Sequence, residues 1–287
     1  MKMTNLTDII FGKICDGNIH EILCDNISDI DTMRKFHNYI KNKLITFACC
    51  HFERKTLLDI SVGRGGDFFK WKENQVDIVL GFDNHEESLN EARKRLKTQI
   101  SKHDKIPFTK YYNLDANDCD ICSKLSKLES TIKGLKKLNG VAQYDIVSCQ
   151  FAFHYFAGNL DHIISFISNK LKDGGFFIGT ASDGDLIYKN LAKCDISLGI
   201  LNICKVNEEK YKFYINTKSN TYFDVQGVSN EFFTFKQQLI DKCKLHNLIV
   251  YNINSFYDHY MSSNFSMSTQ EKIISFLNFS FVFQKFN

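Results

Sequence analysis

Proline is almost missing: Pro107 is the only one in 287 residues. No stretch reads as a linker and no segment repeats, which excludes a string of modules. A single domain over residues 1–287 is expected, with a helical segment over 1–52 and an insertion at about 185–230. No apolar run is long enough to span a bilayer, so no membrane partner is expected. The start, Met1-Lys2-Met3-Thr4-Asn5, lacks the following apolar core and small-residue cleavage site of an export signal. Net charge is only +3, which excludes an argument for nucleic acid from charge alone. The basic run with Lys124, Lys127, Lys133, Lys136 and Lys137 reads as a solvated helix face. Zinc-ligand spacing is also missing. Cys119 and Cys122 form one Cys-x-x-Cys pair with no second pair to match it, and no metal is expected. The ten cysteines are scattered, several within apolar strands such as the one holding Cys149, as suits buried free thiols in a reducing compartment. What is present is ordinary for a globular protein: 44% hydrophobic and 24% charged residues.

The chemistry starts at Leu57-Leu58-Asp59-Ile60-Ser61-Val62-Gly63-Arg64-Gly65-Gly66-Asp67. An apolar run ends in an acid, passes a glycine-dense turn and enters the amphipathic Phe68-Phe69-Lys70-Trp71. That order predicts strand, tight loop and helix, with backbone free to approach a ligand. Asp83 closes the next apolar run, twenty positions beyond Gly63. A nucleotide-binding α/β unit places its ribose carboxylate there. Gly63-x-Gly65-Gly66 lacks the Gly-x-Gly-x-x-Gly spacing of nicotinamide enzymes. A helix is expected from about Ile27 to Cys50, on the spacing of Ile30, Met33, Phe36, Ile40, Leu44 and Phe47. Another runs from Glu86 to Leu96, with acids early and bases late. Strands are expected at 108–114, which leads into Asp115, at 144–149 and at 176–180, with a helix over 160–171. The connection 118–138 reads as helix-rich, and 211–225 as a hairpin around Lys218-Ser219-Asn220. A helix over 232–246, a strand over 248–253 and an apolar segment over 273–286 follow. Strands alternating with helices predict an α/β fold, a parallel sheet with right-handed crossovers.

The segment Leu58 to Trp71 resembles the first motif of the mRNA cap guanine-N7 methyltransferases. Ser148-Cys149-Gln150-Phe151-Ala152-Phe153-His154-Tyr155 is similar to a second motif, and its Gln-Phe-x-x-His-Tyr core is specific to that family. Leu171 to Thr180, Asn230-Glu231-Phe232 and Arg34 to Lys41 look like further matches. The resemblance implies a class I AdoMet-dependent methyltransferase, Rossmann-like, with a mostly parallel central sheet, helices on both faces and an antiparallel C-terminal edge. Its implied reaction is methyl transfer from S-adenosyl-L-methionine to N7 of the guanine of a GpppN cap, leaving S-adenosyl-L-homocysteine. The composition and extent resemble the methyltransferase domain of a large-DNA-virus capping enzyme of the African swine fever virus type. That implies capped RNA as partner and RNA triphosphatase and guanylyltransferase domains fused to it or acting with it. It further implies a monomer, cytoplasmic if viral and nuclear if cellular.

The resemblance assigns Asp59 and Gly63 to the methionine pocket, Lys41 to the methionine carboxylate, Asp83 to the ribose hydroxyls and Asp115 to the adenine amino group. Gln150 and Phe151 line the same pocket. For the cap, Glu231 takes the guanine Watson–Crick edge, His154 and Tyr155 the base, Tyr257 closes the pocket and Arg64 grips the triphosphate. Plainer readings stand beside these. Asp83 and Asp115 suit turns or helix caps, His154 a core histidine, Glu231 the start of a helix, and Tyr260 competes with Tyr257. Ser61 replaces the family's first loop glycine and Val62 its usual cysteine. A serine fits there if its φ is negative. His37 stands where the family has asparagine near the cap. A non-catalytic cap-binding scaffold and a small-molecule methyltransferase are the competing functions.

Overall fold

The computed structural model describes residues 30–103, 105–198, 200–215 and 228–286. In chain order the longer elements are α1 (Asp31–Cys49), β1 (Thr56–Ile60), α2 (Phe68–Glu73), β2 (Ile78–Asp83), α3 (Glu86–Ile100), β3 (Phe108–Asn113), α4 (Ile121–Glu129), β4 (Lys136–Leu138) and β5 (Val141–Gln150). Then come α5 (Leu160–Lys170), β6 (Leu171–Ser182), α6 (Gly184–Leu191), β7 (Ile196–Leu198), β8 (Leu201–Lys205), β9 (Lys210–Ile215) and β10 (Val228–Phe232). The remainder is α7 (Lys236–Leu245), β11 (Leu248–Ser255), α8 (Phe256–Met261), α9 (Thr269–Phe276) and β12 (Asn278–Lys285). The chain divides into two compact units. One holds Lys41–Thr180, Gln237–Ile253 and Ser280–Asn287; the other holds the segments ending at Ile40, Ala181–Lys236 and Asn254–Phe279.

The first unit is built on a sheet ordered β11-β12-β6-β5-β1-β2-β3, with the short β4 paired to β5. The β1–β2, β1–β5, β2–β3 and β5–β6 pairings are all parallel. Strands covered on both faces carry continuous apolar runs, and β1 is buried at every position. The strand order reverses between β1 and β5, so a crevice opens at the carboxyl ends of β1, β2 and β5, where such sheets bind ligands. Phe153, Phe177, Phe281 and Phe283 pack as one aromatic cluster across β6 and β12. Gly179 makes that packing possible, because a Cβ there would stand 2.3 Å from the Phe281 ring and 2.4 Å from the Cys149 carbonyl.

Behind the sheet a buried ion pair joins Lys170 Nζ to Glu129 at 2.6 Å, and the Tyr144 hydroxyl donates to the same carboxylate at 2.8 Å. Lys170 and Glu129 are 0% and 1% exposed.

In the other unit β7, β8, β9 and β10 form an antiparallel sheet ordered β10-β9-β8-β7. Strands β7 and β8 lie in a region where only a break in the α/β pattern is legible in the residues. Residues 216–225, the rest of the expected hairpin, fall outside the described residues, as does the segment 1–29. Phe232 closes a strand, so the helix expected from residue 232 begins only at Lys236. In the connection 118–138, expected to be helix-rich, the helix stops at Glu129, and Lys136 and Lys137 of the run expected on a helix face sit on β4. None of the eight described cysteines forms a disulfide; Cys49, Cys149 and Cys243 are buried, while Cys50, Cys119 and Cys122 are exposed. Burial pushes the Cys49 thiol up to about 12. Among the described residues no helix is long and apolar enough to cross a membrane.

Candidate functional site

Every candidate cofactor residue lies in the first unit, and all but Lys41, which comes from a helix, sit at or near the carboxyl ends of its strands. Asp59 is the fourth residue of β1 and is 3% exposed. Burial, reinforced by the negative charges of Asp67 and Asp83, pushes its carboxyl well above the usual range, against the pull of Lys41 and a hydrogen bond from Ser148. The first loop residue, Ser61, has φ of +64°, so the negative φ expected of a serine at this point is not what forms. The turn keeps its left-handed start although glycine is gone, and the side chain bears the strain. Gly63 and Gly65 follow at +53° and +69°. Exchanging serine for glycine removes that strain and adds freedom to the unfolded chain, two effects of opposite sign. The strain is the larger: Ser61→Gly is expected to stabilise by about 0.5–1 kcal/mol, read as a raised urea midpoint at unchanged slope.

Asp83 ends β2 and holds the loop in place. One carboxylate oxygen accepts from the Gly63 N–H at 2.9 Å and the other from the His85 N–H at 2.9 Å. Its turn-forming role and its proximity to the loop are thus one arrangement. Asp115 follows β3, is exposed, and accepts from the Asn117 N–H at 2.9 Å. A pocket of about 230 Å³ gathers Ser61, Phe82, Asn84, Asp115, Asn117 and Tyr155. Tyr155, 40% exposed, is therefore brought beside the adenine candidate Asp115. His154 next to it is buried, with the two rings 4.4 Å apart in an edge contact.

Gln150 closes β5, with its Oε1 accepting from the Thr180 hydroxyl and its amide nitrogen donating to Ser148, each at 3.2 Å. Phe151 is again left-handed, at φ +56°, pinned by its N–H donating to the Thr180 carbonyl and hydroxyl. Two side-chain-bearing residues, Ser61 and Phe151, thus hold left-handed angles just past the adjacent strands β1 and β5. Strain of this kind collects where a ligand needs backbone at an exact place.

Lys41 lies on α1, and its Nζ is 2.7 Å from Asp67, which also pairs with Lys70 at 2.9 Å. Asp67 is a residue to which motif reading gave no role. Burial pushes its carboxyl up, but the two lysines more than offset this and hold it below the usual range. The signal available was its position one residue after Gly65-Gly66 with a lysine three further on. Arg64 pairs with Glu91 at 3.2 Å, and Arg95 bonds both Glu91 and the Arg64 carbonyl.

The remaining candidates belong to the other unit. Glu231 sits inside β10 opposite Tyr211 of β9, not at a helix start. Its carboxylate is 2% exposed and accepts from the Tyr211 hydroxyl at 2.5 Å and the Ser182 hydroxyl at 3.1 Å. Tyr257, on α8, is part-buried with its ring 5.4 Å from Phe276, and Tyr260 touches the same phenylalanine. His37 is buried, 2.9 Å from the Ser275 hydroxyl and edge-on to Phe256.

The model of the mRNA (guanine-N(7))-methyltransferase domain matches residues 23–275. The chain belongs to that family. The chain is 28% identical over 262 residues to a probable mRNA-capping enzyme of Acanthamoeba polyphaga mimivirus, covering 82% of this chain and 20% of that one. It is 30% identical over 174 residues to the mRNA cap guanine-N(7) methyltransferase of Drosophila melanogaster, covering 57% of this chain and 39% of that one. The chain therefore spans between about a fifth and two fifths of the length of these relatives. A putative S-adenosylmethionine-dependent methyltransferase structure from Listeria monocytogenes matches at 14% identity and a TM-score of 0.56, over 88% of this chain and 97% of that one. The fold is thus that of the S-adenosylmethionine-dependent methyltransferases, Rossmann-like, with a mostly parallel central sheet.

The residues fit such a cofactor. S-adenosylmethionine carries a sulfonium and an ammonium, and Asp59 is a buried carboxylate short of positive charge. Without cofactor Asp59 lowers stability as pH rises. Its raised folded pKa keeps a proton that the unfolded chain releases near pH 4, so the native state loses ground from there up to the folded pKa. Asp59→Asn is expected to raise the cofactor-free melting temperature at pH 7.5. The gain should vanish below about pH 4, where both chains are neutral at this site. A gain of equal size at both pH values would contradict a titrating Asp59.

Proposed function

We propose that this cap methyltransferase domain transfers the methyl group of S-adenosylmethionine to N7 of the guanine of a GpppN cap. The observation that carries it is the family match over residues 23–275, a range that includes every candidate from Lys41 to Tyr257. Bound cofactor supplies an electrophilic methyl on a sulfonium. Guanine N7 offers a lone pair at neutral pH, so no side chain need remove a proton and no nucleophilic residue is required. The protein contributes by holding the reactants in line and by the charges around them.

In this reading Asp59 and Gly63 shape the methionine pocket, and Lys41 turns from Asp67 toward the methionine carboxylate. Asp83 takes the ribose hydroxyls with the oxygen lone pairs left after Gly63 and His85, and Asp115 accepts from the adenine amino group. Gln150 and Phe151 form the wall at the end of β5. His154 and Tyr155 pack on the guanine, Tyr257 closes over it, and Glu231 accepts from its N–H donors. Arg64 exchanges Glu91 for a phosphate oxygen. That exchange costs little, since an ion pair about a third exposed contributes under about 1 kcal/mol. We read the two units as one methyltransferase domain with a cap-side insertion at about 185–230. The mimivirus relative is named a capping enzyme, which supports triphosphatase and guanylyltransferase domains fused to this chain or acting with it. A monomer in the cytoplasm is the state proposed for a viral enzyme.

The test is transfer of label from S-adenosylmethionine to GpppA-capped RNA, with the product digested to locate the methyl group. Label on guanine N7 supports the reading. Cofactor binding without transfer would leave a cap-binding scaffold, and label elsewhere a different methyltransferase.

A further inference from the structure

A second pocket lies outside the cofactor crevice, in the same unit. It is smaller, about 120 Å³, and runs from Gly66 between α2 and the second half of α3. Its walls are Phe69, Leu96, Gln99 and Tyr111, with Arg95 at the rim. Phe69 is a phenylalanine left 49% exposed. Tyr111 is only 7% exposed, yet its hydroxyl bonds none of the described residues, and it stands 3.4 Å from where a Cβ of Gly65 would lie. The Gln99 side-chain amide also bonds none of them. An exposed aromatic ring lining the same pocket as two polar groups matches a nucleobase, which offers a π-face and hydrogen-bonding edges.

The charge beside the pocket points the same way. Between Ala92 and Lys110 the sequence carries seven lysines and arginines against one acid, Asp104. Arg93 and Arg95 are paired with glutamates. Lys94, Lys97, Lys102 and Lys105 are exposed and enter no ion pair among the described residues. His103, between Lys102 and Lys105 in sequence, has its ring 6.3 Å from Phe69, so the chain that follows α3 passes beside the pocket. The bonds Arg64–Glu91–Arg95 connect the pocket rim to the glycine loop.

We propose that this pocket and the lysine strip along α3 hold the RNA that follows the cap, with Phe69 as a stacking platform for one base. The proposal rests on the cap reading above. Stacking is sequence-tolerant and the lysines meet phosphates, so the surface accepts any transcript.

The experiment compares two substrates, the GpppA dinucleotide and a GpppA-capped RNA of about ten nucleotides, and adds the salt dependence of binding to the same RNA without a cap. Phe69→Ala should raise KM for capped RNA about five- to a hundredfold while leaving kcat and the KM for GpppA unchanged. Lys97→Glu, Lys102→Glu and Lys105→Glu together should lower the slope of log affinity on log salt for uncapped RNA by about 2. Melting temperatures check the fold, and Gln99→Ala serves as a second pocket variant expected to move KM in the same sense. Equal effects on dinucleotide and capped RNA, or none on either, would overturn the proposal. If the parent methylates neither substrate the cap reading fails, and uncapped RNA binding alone then decides: a slope and affinity unmoved by all these variants reject the subsite.

Discussion

Glu231→Gln is expected to lower kcat/KM for cap methylation by about 10²- to 10³-fold while leaving S-adenosylmethionine affinity within about twofold. The amide has the size of the carboxylate and keeps an oxygen for the Tyr211 and Ser182 hydroxyls, so β10 and β9 hold their register. What changes is the face offered to guanine. N1–H and the exocyclic amine are both donors, and a carboxylate can accept from both. An amide meets one of them with its own N–H, leaving buried donors unpaired, the costliest outcome for a hydrogen bond. Glu231→Ala should be as inactive and also less stable, since Tyr211 loses its acceptor. Calorimetric titration with the cofactor and a capped-RNA transfer assay read the two halves separately. If Gln retains full activity, Glu231 has only its structural bonds; if cofactor binding falls with activity, its assignment to the cap is wrong.

The second large effect is on stability. Lys170→Met removes one partner of a fully buried pair and strands the Glu129 carboxylate in the core, where Tyr144 supplies a single hydrogen bond. Breaking such a pair costs about 3–5 kcal/mol, a large share of what a domain has. Removing both charges should cost far less. Lys170→Met with Glu129→Leu and Tyr144→Phe leaves an apolar cluster and is expected within about 1–2 kcal/mol of the parent. Urea unfolding of the single and triple variants decides. A single variant as stable as the triple would mean that water reaches Glu129 and that the pair is not dry.

These two sites differ in how far they could be read from residues. The central strands are plain: the apolar runs that carry Asp59 and Asp83 announce buried parallel strands with carboxylates at or near their ends, while the strand before Asp115 is a half-exposed edge. The Gln150–Tyr155 stretch was also legible. The Lys170–Glu129 pair was not, because a lysine at a helix C-terminus and a glutamate forty-one positions away carry no periodic signal. The packing of two helix C-termini against β5 brings them together. Asp67 escaped for a related reason, since its lysine partner Lys41 comes from another element. Ser61 departs from what its residue type implies. Residue type predicted negative φ, but the turn between β1 and α2 dictates backbone direction, and tertiary demand overrode local preference at +64°. In the second unit, β7 and β8 are three and five residues long, too short for alternation to separate them from loop.

The position of β12 has a consequence for synthesis. Residues 278–285 enter the sheet between β11 and β6, not at its rim. Until they leave the ribosome, β6 exposes an unpaired flank of twelve residues, and β11 has no neighbour. The nascent chain therefore carries a completed glycine loop beside an open seam that invites pairing with other chains. Closure of its β6 side joins residues separated by about a hundred positions, such as Gln284 and Gly174, a slow step by topology. A chain stopped at Leu277 should aggregate even though every residue assigned to the cofactor and the cap is present.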